Sequence, residues 1–201
     1  MGFRAAFTKI KILKYLKLFI MPEATQLLNP KEVLSKLNLT EGMQIADLGC
    51  GNLGYFIIPA AQLVGKKGKA YAVDVLEPVL DAVRNKAKLL GLVNLETVRS
   101  NLEMVGSTKI PEGSLDAASL INVMFQNKKY KEMLQEASRL LKSQGKLLVI
   151  DWKKIAIPFG PSIDLRIDPA QIKMLASQLG LNLVEEAEFG QYFWGLLFQK
   201  A

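Results

Sequence analysis

From Asn29 onward the chain alternates short apolar runs with amphipathic stretches, and it closes on two apolar runs separated only by Gly190-Gln191. Such alternation implies a parallel sheet wrapped on both faces, because each parallel neighbour is reached through a helical crossover. Two residues cannot form a crossover, so the last two strands pair antiparallel. The expected fold is a Rossmann-like α/β architecture: a seven-stranded, mostly parallel sheet with an antiparallel C-terminal hairpin strand and helices on both faces.

Asn29-Pro30-Lys31-Glu32 opens a helix that runs to about Leu37, with Asn as N-cap and Pro at the first helical position. Strands are expected at 43–48, 69–76, 95–99, 115–123, 146–152, 183–189 and 192–199. Helices are expected at 55–64, 77–90, 130–141 and from Asp168-Pro169 to near Gly180. Gly145 fits a C-terminal cap for the third of these.

The 201 residues suit one domain with a full core. Histidine is absent, which excludes Ser-His-Asp and Cys-His catalysis, histidine-ligated zinc and an imidazole pH switch. A single cysteine, Cys50, excludes an intramolecular disulfide and a CxxC metal site, so a cytoplasmic setting is expected. No acidic cluster marks a metal site, and none is expected.

The net charge of +7 is unevenly placed. Residues 1–21 hold Arg4, Lys9, Lys11, Lys14 and Lys17 with no acid, and the rest carry 21 bases against 19 acids. A nearly neutral body with a basic N-terminal segment is not a general nucleic-acid binder, and no nucleic acid is expected as partner. Residues 1–28 form that segment, and 29–201 the main domain. On a helical wheel Lys11, Lys14 and Lys17 share one face, and Ile12, Leu13, Leu16, Phe19 and Ile20 the other. The longest uncharged apolar run, Leu18 to Met21, is too short for a membrane span or a signal-peptide core. Such a helix can pack on its own domain or over the mouth of its site. It can equally make peripheral contact with an anionic membrane through residues 10–21, or dock on a partner.

After the first strand comes Asp47-Leu48-Gly49-Cys50-Gly51-Asn52-Leu53-Gly54. The glycines let the backbone turn sharply and approach a ligand at the start of the next helix. They satisfy G-x-G-x-x-G, and Asp74 lies 20 residues beyond Gly54 at the end of the second strand, where a carboxylate accepts from ribose hydroxyls. This pattern alone does not separate a nicotinamide cofactor from another adenosine-bearing one. Asp47 suits a cationic amino group and repels a pyrophosphate. The chain is also too short for a second, substrate-binding domain, and the hairpin departs from a purely parallel dinucleotide sheet.

At these residues the sequence resembles the class I S-adenosylmethionine-dependent methyltransferases of the small-molecule type, over about residues 29 to 200. Ile45-Ala46-Asp47-Leu48-Gly49-Cys50-Gly51 is similar to the first motif of that family, and Ala70-Tyr71-Ala72-Val73-Asp74-Val75 to the second. Ser114 to Ala118 resembles the fourth strand, and Ile121 to Phe125 the segment after it. Leu140 to Leu147 resembles the entry to the fifth strand, and Tyr192 to Phe198 the closing strand. Two departures stand out: the third glycine falls one residue late, at Gly54, and Asn101 replaces an adenine-contacting acid.

The resemblance implies S-adenosyl-L-methionine as cofactor. Asp47, Gly49, Cys50 and Gly51 would lie around its methionine end, Asp74 at the ribose, Val75, Asn101 and Leu102 at the adenine, and Asn122 near the sulfonium. Acceptor residues would come from the loops after strands four and five. Asp151 is the candidate base or amine-orienting carboxylate, the alternative being a strand-end acid paired with Lys153 or Lys154, and Tyr192 early in the last hairpin is a further pocket residue. Cys50 lacks an activating base and is expected to fill space rather than react. The expected function is methyl transfer to a small-molecule or lipid-like acceptor. The alternatives are a protein-lysine methyltransferase and a non-catalytic module that senses S-adenosylmethionine, with a nicotinamide dehydrogenase further behind.

Overall fold

The computed structural model describes residues 27–201. The basic helix of the N-terminal segment, and membrane contact through residues 10–21, lie outside the described residues.

Helix α1 (Pro30–Ser35) begins as the sequence predicts: the Asn29 side chain accepts from the Lys31 amide at 3.0 Å. The chain then alternates β1 (Gln44–Leu48), α2 (Ile57–Val64), β2 (Lys69–Asp74), α3 (Glu77–Leu89), β3 (Leu95–Arg99), β4 (Leu115–Ile121), α4 (Tyr130–Leu140), β5 (Leu141–Trp152) and α5 (Pro169–Ser177). It ends in the hairpin β6 (Leu181–Phe189) and β7 (Phe193–Lys200). The sheet order is β3-β2-β1-β4-β5-β7-β6, parallel except for the pairings of β7 with β5 and with β6. The expected seven-stranded mixed sheet is therefore the observed one.

Helices α1 to α3 cover one face and bury Val33, Ile57, Leu80 and Val83; α4 and α5 cover the other with Met133, Leu134, Ala137 and Ile172. Each large side chain so buried contributes roughly 1.5–3 kcal/mol of transfer free energy, enough to make the two-faced burial of the central strands the main source of the fold. On α4, Glu136 and Arg139 lie one turn apart and pair at 2.8 Å.

One expectation fails. Gly145 is not a helix cap: α4 passes directly into β5 at Leu141, and the pairing with β4 slips between Leu115 and Ala117. Residues 142–145 are looped out of register there. A Cβ on Gly145 would lie 2.9 Å from the Lys142 carbonyl oxygen and 3.0 Å from that of Leu115. The glycine allows a close backbone approach instead of ending a helix.

Candidate active site

The chain runs from β1 outward to β2 and β3, then crosses back to β4 on the other side of β1. The crevice beyond the carboxyl ends of β1 and β4 is thus the switch point at which open α/β sheets bind ligands.

At the end of β1 the amides of Gly49 and Cys50 both donate to the Val73 carbonyl, at 2.8 and 3.0 Å, folding the turn over the neighbouring strand. Gly49 takes φ +89°, and a Cβ there would sit 2.5 Å from Cγ2 of Val123. The Asp74 carboxylate laces this turn to the end of β2, accepting from the Gly51 amide at 3.3 Å and the Leu76 amide at 3.1 Å. Its remaining lone pairs are free for the hydroxyls of a ribose. Replacing Asp74 by Ala is expected to weaken binding of S-adenosylhomocysteine about 5- to 150-fold, on the order of 1–3 kcal/mol for lost charged hydrogen bonds, read by calorimetric titration.

Asp47 is 2% exposed and accepts from the Ser119 hydroxyl at 2.7 Å, across the pairing of β1 with β4. Burial pushes its carboxyl up to about 7, the Ser119 hydrogen bond opposes this, and the charge of Asp74 adds to the rise. A cationic group brought beside Asp47 would draw it back to the ionised form. Cys50 is buried, and burial first, then the carboxylates of Asp47 and Asp74, push its thiol far up. It is a packing residue that lends only its backbone to the turn.

Val75, exposed beyond β2, and Asn101, half-buried beyond β3, lie at the same end of the sheet. The Asn101 side-chain oxygen accepts from the Glu103 backbone amide at 3.0 Å, which leaves its side-chain NH2 to meet a ligand. The side chain of Leu102 is buried in the core, which leaves only its backbone for the crevice. The loop that carries them is anchored by Glu136, whose carboxylate accepts from the amides of Gly106 (2.7 Å) and Thr108 (2.9 Å) and pairs with Arg139. Burial alone would raise this carboxyl, but the Arg139 and backbone hydrogen bonds outweigh it and hold it down at about 2. Glu136→Gln is expected to cost about 2 kcal/mol in urea unfolding at pH 7. The native carboxyl is depressed, so the stability that it contributes exists above the ordinary carboxylate range and is lost as pH falls toward 2. The difference between wild type and variant should shrink accordingly at pH 3.

Asn122, directly after β4, takes φ +56°, a strained conformation for a residue with a side chain. Both polar atoms of its amide are buried, and neither has a hydrogen-bond partner. A buried amide left this way costs roughly 1–3 kcal/mol, and such groups concentrate where a ligand supplies the missing partner. Its neighbour Val123 is the residue packed against Gly49, so the unpaired amide lies beside the glycine turn.

Asp151 is fully buried at the end of β5, its oxygens accepting from the amides of Phe125 (3.2 Å) and Trp152 (2.8 Å), and Lys153 pairs with Glu188 instead. Burial pushes this carboxyl up to about 7 against those hydrogen bonds. It braces the turn after β4 from inside. Tyr192 is half-buried, its ring edge-on to Phe159 at 5.0 Å, while Trp152 lies against Phe193 at 4.6 Å and Phe159 at 6.1 Å. These four rings form an aromatic wall at the end of β5. Arg166 has no ion pair among the described residues. It is 3% exposed and donates to the carbonyls of Lys153, Ile155, Phe159 and Pro161, fastening the loop between β5 and α5.

Residues 39–187 match the family model of a methyltransferase domain. The chain belongs to the methyltransferase domain family. The fold is that of the class I S-adenosylmethionine-dependent enzymes. A methyltransferase of that kind from Aquifex aeolicus superposes with a TM-score of 0.81 at 26% identity, over 94% of this chain and 98% of that one. A ubiquinone/menaquinone biosynthesis C-methyltransferase of Francisella tularensis subsp. novicida is 30% identical over 81% of this chain and 62% of its own length. A demethylmenaquinone methyltransferase of Geobacillus stearothermophilus is 28% identical over 57% of this chain and 47% of its own. The chain spans about half the length of the first such relatives.

Sequence reasoning missed Ser119, Glu136 and the structural use of Arg166. Ser119 was detectable as the one hydroxyl within an otherwise apolar stretch of β4, but its partner follows only from β4 lying beside β1. Glu136 and Arg139, three apart on a helix, read equally as a surface pair.

Proposed function

We propose that this methyltransferase holds S-adenosylmethionine at the crevice between β1 and β4 and methylates a small, apolar acceptor of the lipid-like or quinol kind. The observation that carries the reading is the buried Asn122 amide without a partner, set beside the glycine turn at the switch point. The surrounding groups fit the cofactor. Asp74 suits the ribose, and Asp47 with the backbone of Gly49, Cys50 and Gly51 suits the methionine end. Val75, Asn101 and the Leu102 backbone would frame the adenine. Bound there, S-adenosylmethionine would supply a methyl group on a positively charged sulfur, already activated for displacement, so a chain without histidine lacks nothing essential.

The protein's part is then alignment and exclusion of water. Asn122 offers one donor and one acceptor to orient the reacting groups, and Asp151 holds the turn after β4 that carries it. Tyr192 and Phe159, backed by the buried Trp152, present ring faces and edges suited to a flat or isoprenoid acceptor. The names of the quinone-methylating relatives support an acceptor of that chemistry.

The test is transfer of tritiated methyl from S-adenosylmethionine in a bacterial lysate, partitioned into lipid, protein, RNA and small-molecule pools. Label is expected in the lipid extract. Label in protein would favour the lysine-methylating alternative, and binding of the cofactor without any transfer would favour the sensing module.

A further inference from the structure

The end of the sheet that holds the site is rimmed by large apolar side chains facing water. Met104 (61% exposed) and Val105 lie beyond β3, and Ile155, Phe159, Ile163 (51%) and Leu165 beyond β5. Between them, the Asn127 amide after β4 donates to Glu103 at 3.0 Å, tying the loops beyond β3 and β4 together. These residues are not exposed through slackness. Arg166 spends its donors on four carbonyls of the 153–161 backbone, and so holds the apolar residues outward on a fixed frame. A rim of exposed apolar side chains of this kind marks an interaction surface.

Charge indicates what the rim meets. Lys128, Lys131 and Lys154 are exposed around it and make no ion pair among the described residues, with the exposed acids Glu103 and Asp164 on the same loops. The N-terminal segment adds five bases and no acid over residues 1–21.

We propose that this rim is a membrane-docking face, seating the chain on an anionic bilayer with the mouth of the crevice toward the lipid. The docking stands on the rim and the charges alone; that it delivers an acceptor rests on the function proposed above. Apolar insertion and lysine attraction to anionic headgroups act together in such binding, and the second is screened by salt.

The test is co-sedimentation of the full chain with phosphatidylglycerol-containing vesicles. Binding is expected, at least tenfold weaker on pure phosphatidylcholine and weakened by salt. Ile163→Asp with Leu165→Asp should reduce binding to the anionic vesicles at least tenfold while the melting temperature and the calorimetric affinity for S-adenosylhomocysteine stay as in wild type. Leu89 (87% exposed) and Val93 (78%), on the turn before β3 at the opposite end of the sheet, supply the control. Leu89→Asp with Val93→Asp should bind vesicles as wild type does. No binding by the wild type, full binding by the rim variant, or loss confined to the Leu89/Val93 variant would each overturn the docking face. So would self-association of the wild type that the rim substitutions abolish without any vesicle binding, since a second copy would then be the occupant. Loss of cofactor affinity in every protein, wild type included, would instead count against the proposed function.

Discussion

Gly49→Ala is expected to lower stability by about 3 kcal/mol and S-adenosylhomocysteine affinity at least tenfold. Two costs add at this position. A side chain at φ +89° is strained by roughly 1–2 kcal/mol. The new Cβ would meet Cγ2 of Val123 at 2.5 Å, and relieving that contact moves a stiff β-branched residue, with an overpacking cost of roughly 1–3 kcal/mol. Val123 follows Asn122, so the displacement falls on the residue that carries the unpaired amide. Gly51→Ala separates the two costs: its φ is +62°, but nothing lies within 4 Å of the added Cβ. That variant should lose only about 1 kcal/mol. Urea unfolding of both variants, followed by titration with ligand, reads the contrast; equal losses would mean that the Val123 contact relaxes without cost.

The second large effect is one of pH. Asp151, fully buried, has its native carboxyl pushed up to about 7 from an ordinary value near 3.8. Between those values the unfolded chain has released this proton and the folded chain still holds it. Stability therefore falls as pH rises through that window, by about 1.4 kcal/mol for each unit by which the pKa is raised. Asp151→Asn cannot ionise. Whatever its stability at pH 4, it should gain on the wild type as pH rises and level off above pH 7, by an amount on the order of 4 kcal/mol. Denaturant unfolding of both proteins at pH 4, 6 and 8 measures this, and a constant difference would show that the carboxyl is not raised by its burial.

Much of the fold is legible along the chain because its signals are local. The Asn29 and Asp168 caps, the apolar strands and the two-residue link at Gly190-Gln191 each act within a few residues. Gly145 misled because a glycine after a helical stretch suits a cap as well as a close backbone approach, and only the slipped pairing of β4 with β5 tells them apart. The glycine turn and Asp74 were legible for the same local reason. Asp151 was not: a carboxylate at a strand end is equally a solvated acid, a base or a buried brace, and which it is depends on β7 pairing beside it and the turn after β4 closing over it. The unpaired amide of Asn122 is a property of the folded site with no trace in composition or spacing.

Calorimetric titration of the full chain with S-adenosylmethionine, S-adenosylhomocysteine and NAD tests the central claim most directly. The site should bind both sulfur compounds at one equivalent each and NAD not at all. Binding of NAD with no binding of either sulfur compound would contradict it.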